Sequence, residues 1–114
     1  MSDCLFCRII AGEIPSNEVL STDTTYAFRD IEPQAPTHVL VIPREHVQDA
    51  AALTAEHGEL LADLFTAAQA VARAEGVDGS GYRLVFNVGE DANNSVPHLH
   101  LHVIGGRRLG WPPG

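Results

Sequence analysis

The eight residues Pro97-His98-Leu99-His100-Leu101-His102-Val103-Ile104 restrict this chain more than any other stretch. Imidazole and aliphatic side chains alternate with a period of two, which predicts a half-buried β-strand whose Leu99, Leu101 and Val103 face a core. His98, His100 and His102 then share the opposite face. Histidines two apart on a strand lie roughly 6.5 to 7 Å from one another, so protonating one disfavours protonating the next. A row of neutral imidazoles can ligate a metal, accept a proton or attack phosphorus.

The rest of the chain supplies a frame for that strand. Cys4 to Gly12 predicts a short helix with Leu5, Phe6, Ile9 and Ile10 as its apolar residues and Gly12 as its stop. Strands are expected over Glu18 to Ser21 and Thr25 to Arg29, with Thr22, Asp23 and Thr24 as the hairpin loop. Pro33 and Pro36 make residues 30–37 a loop, and the apolar run after His38, as far as Pro43, predicts a strand near the middle of a sheet. Thr54 is a good N-cap for a long helix from Ala55 to Glu75, with Gly76 as its end and an apolar stripe through Leu60, Leu61, Leu64, Phe65, Ala68, Val71 and Ala72. His57, in its first turns, is read as a solvated residue. A strand over Tyr82 to Val88 and a polar loop from Gly89 to Val96 then lead to the histidine strand.

Five short strands with mostly short connections predict an α+β fold: a five-stranded antiparallel sheet with one long and one short helix, all in one domain spanning residues 1–114. The tail is too rich in Gly and Pro for regular structure. Its Trp111 is expected to dock on the domain or on a second subunit.

Fifteen acidic residues against seven basic ones, a net charge of -8, exclude a broad phosphate-tracking face for nucleic acid. A single nucleotide in a pocket remains compatible. No apolar run approaches the roughly 20 residues of a membrane span, and no secretory pattern opens the chain, so the expectation is a cytoplasmic protein without a membrane partner. Cys4 and Cys7 form a C-x-x-C pair that, in such a compartment, points to metal or redox chemistry before a structural disulfide. A thioredoxin-type role needs a strand ahead of the pair, and none is predicted there.

With these residues set out, the chain resembles the histidine-triad family. His98 to Ile104 matches its alternating signature, and Phe6 to Ile10, Ala27 to Ile31, Pro33 to His38, Val41 to Pro43, Asn87 and Trp111 to Gly114 follow in the family's order. Ser95 and the final Trp-Pro-Pro-Gly are similar to the histidine-triad nucleotide-binding (Hint) branch. Asn93 and Asn94 stand where that branch has glycine and glutamine.

The resemblance implies a homodimer whose two sheets join into one, and a hydrolase of purine nucleoside phosphoramidates, typically AMP linked through P–N to an amine. It gives His100 the role of nucleophile, His38 an orienting role behind it, His102 the phosphate oxygens and Ser95 a part in protonating the departing amine. Asn87 with Asn93, Asn94 and Val96 would supply further contacts. Asp30 would hold the ribose hydroxyls, and Phe6, Ile9, Phe28, Ile31 and Leu40 would wall the base pocket. No cofactor is expected for the chemistry itself. Cys4, Cys7, His46 and His98 resemble the structural zinc site of some family members, a closed set of four ligands.

Three alternatives stand beside this reading. One is cleavage of dinucleoside polyphosphates on the same fold; another is a nucleotide- or partner-binding module without turnover. A metallohydrolase built on the His-x-His-x-His run would need carboxylate or further histidine ligands near an open site, for which His38 and Asp30 could serve.

Overall fold

A computed structural model of the chain describes residues 3–114. The short helix α1 (Leu5–Ile10) is followed by β1 (Glu18–Ser21), β2 (Thr25–Arg29), β3 (Thr37–Pro43), the long helix α2 (Gly58–Glu75), β4 (Tyr82–Val85) and β5 (Leu101–Gly105). The strands form one antiparallel sheet in the order β1-β2-β3-β5-β4. All seven residues of β3 are buried, as expected of a strand at the centre of the sheet.

The period of two separates the faces. Ala27, Val39, Val41, Leu101 and Val103, with Leu99 just ahead of β5, pack under α2 against Leu64, Ala67, Ala68 and Val71. Phe28, Leu40 and Ile42 project the other way and are covered by Phe6 of α1. That second face carries the histidines.

The helix ends have local causes. Gly76 adopts φ 74°, the left-handed geometry that closes α2, and its N–H returns to the Ala72 and Arg73 carbonyls. Thr54 caps a 3-10 turn (Ala55–His57) that leads into α2, so the regular helix starts three residues later than expected. His57 is not simply solvated: its Nδ1 accepts the Thr54 N–H at 2.9 Å, completing a capping box.

Two strand limits differ from expectation for one reason. β5 begins at Leu101 rather than at Pro97, and β4 stops at Val85 rather than Val88. Pro97 has no N–H to offer, the His98 N–H closes a turn on the Val96 carbonyl, and the Leu99 N–H donates to the Val47 carbonyl at 2.6 Å. Residues 97–99 are thereby drawn off the ladder, and Val88, which the register would set opposite Leu99, has no strand neighbour there. Trp111 does not dock on its own domain; it is 85% exposed.

Candidate active site and metal centre

The three histidines of the motif lie opposite the buried Leu99, Leu101 and Val103 but serve two clusters. His100 and His102 do share a face, their ring centroids 5.0 Å apart. His98, fully buried, belongs to the cluster of Cys4, Cys7 and His46. Each imidazole has its tautomer set by the group that meets its second nitrogen, and those groups differ.

At His98 the Nε2 lies 2.9 Å from the Pro43 carbonyl. A carbonyl only accepts, so in the neutral ring Nε2 carries the proton and Nδ1 is bare. Burial keeps this imidazole neutral by lowering its pKa; the Pro43 contact opposes that shift, while His46 and His100 add to it. The bare Nδ1 faces the Sγ atoms of Cys4 at 3.3 Å and Cys7 at 3.5 Å and the Nδ1 of His46 at 3.1 Å; Cys7 and His46 are 3.3 Å apart. All four donor atoms lie within 4.8 Å of one another. A tetrahedral zinc ion places nitrogen and sulfur donors about 3.4 to 3.8 Å apart. The donor set and its spacing fit such an ion, and the Cys4 sulfur also caps α1 by accepting the Cys7 N–H.

His100 is held the opposite way round. Its Nδ1 lies 2.7 Å from the His98 carbonyl, so Nδ1 carries the proton and Nε2 presents a lone pair. The ring is partly exposed and stands edge-on to Phe6, centroids 5.2 Å apart. Phe6 also meets His98 at 5.9 Å, so the cysteine-bearing helix packs on both histidines.

His38 does not touch His100; its partner is His102. The Gln34 backbone N–H donates to His38 Nδ1 at 3.0 Å, which fixes the proton of the neutral ring on Nε2. That Nε2–H donates to His102 Nδ1 at 2.9 Å, with an Asp30 carboxylate oxygen 3.4 Å away. The chain of bonds from Gln34 through His38 therefore makes His102 the Nε2–H tautomer; Asn87 Nδ2, itself a donor, stands 3.5 Å from that Nε2 and does not accept from it. Burial, more than its neighbours His100 and His38, pushes the His102 pKa down to about 4, with Asp30 opposing. His38 is also shifted down, by burial against the opposing pull of Asp30. The sequence argument from mutual repulsion reaches the same sign through the smaller of the two causes.

Asp30, His38 and His102 are near enough to suggest a second ion site. The tautomers argue against it: His38 Nε2 carries its proton, because Nδ1 is occupied by a backbone N–H that cannot accept one. A metallohydrolase centre at this place has no free nitrogen on His38.

The remaining residues fall into two clefts. Ile9, Phe28 and Ile31 border an open depression of about 230 Å³ with Pro15, Ser16 and Asn17. Phe6 and Leu40 lie beneath it as core residues, whereas Ile31 is 93% exposed. Asp30, at its edge in the chain, has one oxygen engaged by the Glu32 N–H at 2.9 Å. Asn93, Asn94, Ser95 and Val96 line a second depression of about 380 Å³ with Gln48 and Asp49. Asn93 adopts φ 63°, the left-handed geometry natural to glycine and tolerated by asparagine, so the loop keeps its shape without one.

Sequence reasoning missed Gln34, whose contribution is a backbone N–H, and the carbonyls of Pro43 and His98. Every residue carries such groups, so no side-chain pattern marks them. Arg107, which grips the Gln34 carbonyl, was also unmarked.

A family model described as HIT domain matches residues 11–109. An uncharacterised HIT-like protein of Synechococcus elongatus is 46% identical over 112 residues, 98% of this chain and 97% of that one. A protein of Zea mays called a 14 kDa zinc-binding protein is 44% identical over 115 residues, covering 99% and 89% of the two chains. The crystal structure of a HIT family hydrolase from Legionella pneumophila superimposes with a TM-score of 0.96 at 48% identity, covering 98% of this chain and all of that one.

Proposed function

We propose, for a chain that belongs to the HIT domain family, that it is a nucleotide-binding hydrolase cleaving the P–N bond of purine nucleoside phosphoramidates of the AMP-amine type. The observation that carries this reading is the His100 ring. Its Nδ1–H is anchored on the His98 carbonyl, which leaves a bare Nε2 on the partly exposed side.

Nε2 attacks phosphorus, the P–N bond to the amine breaks and a P–Nε2 bond forms. The amine leaves with a proton, for which Ser95 is the proposed donor. Water then attacks phosphorus and gives its proton back to Ser95, the P–Nε2 bond breaks, AMP departs and the neutral ring is restored. The His102 Nε2–H is a donor for a phosphate oxygen, and stays neutral to do so. His38 acts on His102 rather than on the nucleophile. Asn87 and the loop carrying Asn93, Asn94 and Val96 border the phosphate, Asp30 takes the ribose, and the cleft at Ile9, Phe28 and Ile31 takes the base.

Zinc held by Cys4, Cys7, His46 and His98 would be structural, because four protein donors leave no open position. The Legionella relative's description as a hydrolase and the maize relative's as zinc-binding support the two halves of this reading. We further infer a homodimer joined edge to edge, where the free edges are β1 and β4 and the exposed Trp111 awaits a partner. Among the described residues no helix is long and apolar enough to cross a membrane. A cytoplasmic setting would keep the thiolate pair reduced.

Intact mass after acid-free rapid quench with an AMP phosphoramidate, comparing wild type with His100→Ala, tests the chemistry. Wild type should release amine and trap a transient nucleotidyl adduct; the variant should form none and lose on the order of 10⁴-fold or more in turnover. Nucleotide binding by both proteins with turnover by neither would leave a binding module. Turnover of a dinucleoside polyphosphate alone would move the reaction to P–O cleavage.

A further inference from the structure

We propose that Arg107 is a positioning residue which, through Gln34 and His38, sets the tautomer of His102. The inference rests on the reading of His102 as the phosphate-facing donor, and extends it to a residue outside the strand and outside the cleft.

The connection can be followed atom by atom. The Arg107 guanidinium donates to the Gln34 carbonyl through Nε at 3.1 Å and Nη2 at 2.9 Å. The N–H of the same residue donates to His38 Nδ1 at 3.0 Å. His38 Nε2–H in turn donates to His102 Nδ1 at 2.9 Å. Reversing the tautomer of His102 would turn a lone pair, instead of a proton, toward an anionic phosphate oxygen.

The loop over residues 30–37 has few means of holding itself. Pro33 and Pro36 lack an N–H, and its internal bonds are the Glu32 N–H to the Asp30 carboxylate and the Gln34 amide side chain to the Glu32 carbonyl. Two side chains from outside the loop hydrogen-bond its backbone among the described residues: His38, which accepts the Gln34 N–H, and Arg107, which alone donates to it. A two-donor fork fixes direction as well as distance, which a single ammonium does not.

The chain is shaped to bring that fork in. Gly106, at φ 90°, follows β5, and a Cβ there would stand 2.9 Å from the Pro36 Cβ. The backbone after β5 therefore runs directly against the loop, at a spacing that only glycine allows. Farther on, Arg83 of β4 holds the Gly110 carbonyl at 2.8 Å, so the segment carrying Arg107 is fastened on both sides.

The test is a long-range ¹H–¹⁵N spectrum of the imidazoles in the full-length, zinc-loaded protein without nucleotide, at one pH above 7. Wild type should show proton-bearing Nε2 and bare Nδ1 at both His38 and His102. In Arg107→Ala both rings should move to tautomer mixtures, while His100, held by the His98 carbonyl, keeps Nδ1–H. Arg107→Lys should fall between, and Arg108→Ala, one residue along, should match wild type. In turnover with an AMP phosphoramidate, Arg107→Ala should lose about tenfold in kcat with KM within about twofold. Unchanged His38 and His102 spectra in Arg107→Ala overturn the proposal, whatever the rate. If the tautomers shift as described but wild type does not hydrolyse the phosphoramidate, the positioning role stands and the reaction assigned to the site falls.

Discussion

Two histidines two residues apart, His98 and His100, carry opposite protons. His98 donates from Nε2 to the Pro43 carbonyl and turns a bare Nδ1 toward two cysteines and His46. His100 donates from Nδ1 to the carbonyl of His98 itself and keeps a bare Nε2 for whatever approaches from the open side. The side chains are chemically identical. What separates the proposed metal ligand from the proposed nucleophile is which ring nitrogen a carbonyl has claimed, and whether the other one faces the cysteine sulfurs. Phe6 packs edge-on against both rings, so the two clusters are adjacent.

The sharpest way to break this contrast is to exchange the losses. His98→Ala should remove bound zinc and, at metal concentrations a few hundred times the dissociation constant, cost about 3 to 4 kcal/mol. For a domain of this size that corresponds to a fall of on the order of 10 °C or more in melting temperature. Chelation of wild type should reproduce it. His100→Ala should retain one metal per chain by elemental analysis and melt within a few degrees of wild type while turnover disappears. If His100→Ala also lost the metal, the two clusters would be one site.

Much of this was legible in the chain. The limits of β1 and β2 were read as they stand, because Thr22 to Thr24 makes a short polar break between two runs of alternating character. The alternation at Leu99, Leu101 and Val103 gave the buried face correctly even though β5 starts only at Leu101. What it hid was the end of the ladder at Leu101, since a backbone bond from Leu99 to Val47 leaves no mark in side-chain order. The tautomers were equally hidden. Cys4 and Cys7 advertise a site by their spacing, but their partners His46 and His98 lie 39 and 91 residues beyond Cys7.

A smaller effect sharpens the contrast through acid. His102 is neutral in the fold, with its pKa lowered to about 4, and in the unfolded chain it titrates near the ordinary 6.5. Between those values the unfolded state binds the extra proton, so the folded state is at full advantage above about pH 6.5. That advantage is lost as pH falls toward 4, by about 3 kcal/mol in total for this one group. Urea midpoints of His102→Gln and wild type should therefore draw together as pH is lowered from 7 through the ordinary imidazole range. The comparison is best made on metal-loaded protein above the pH at which zinc leaves its thiolates, so that the two clusters are read separately. Parallel curves would mean that His102 is not held neutral by its surroundings.

The smallest effect belongs to the loop ahead of both clusters. Asn93 sits at φ 63°, where a side chain with a Cβ is strained unless it is asparagine or aspartate. Asn93→Gly relieves that residual strain but gives the unfolded chain more freedom, and the two nearly cancel. The expected change is within about 1 kcal/mol, with metal content and the His98, His100 and His102 tautomers untouched. Asn93→Ala keeps the unfolded chain stiff and adds strain, so it should be destabilised by about 1 kcal/mol relative to wild type. Urea midpoints rank the three. Should Asn93→Gly and Asn93→Ala both cost well over about 1 kcal/mol, the asparagine side chain rather than its backbone would be what shapes the loop, and the cleft it shares with Asn94 and Ser95 would owe its form to a contact beyond backbone geometry.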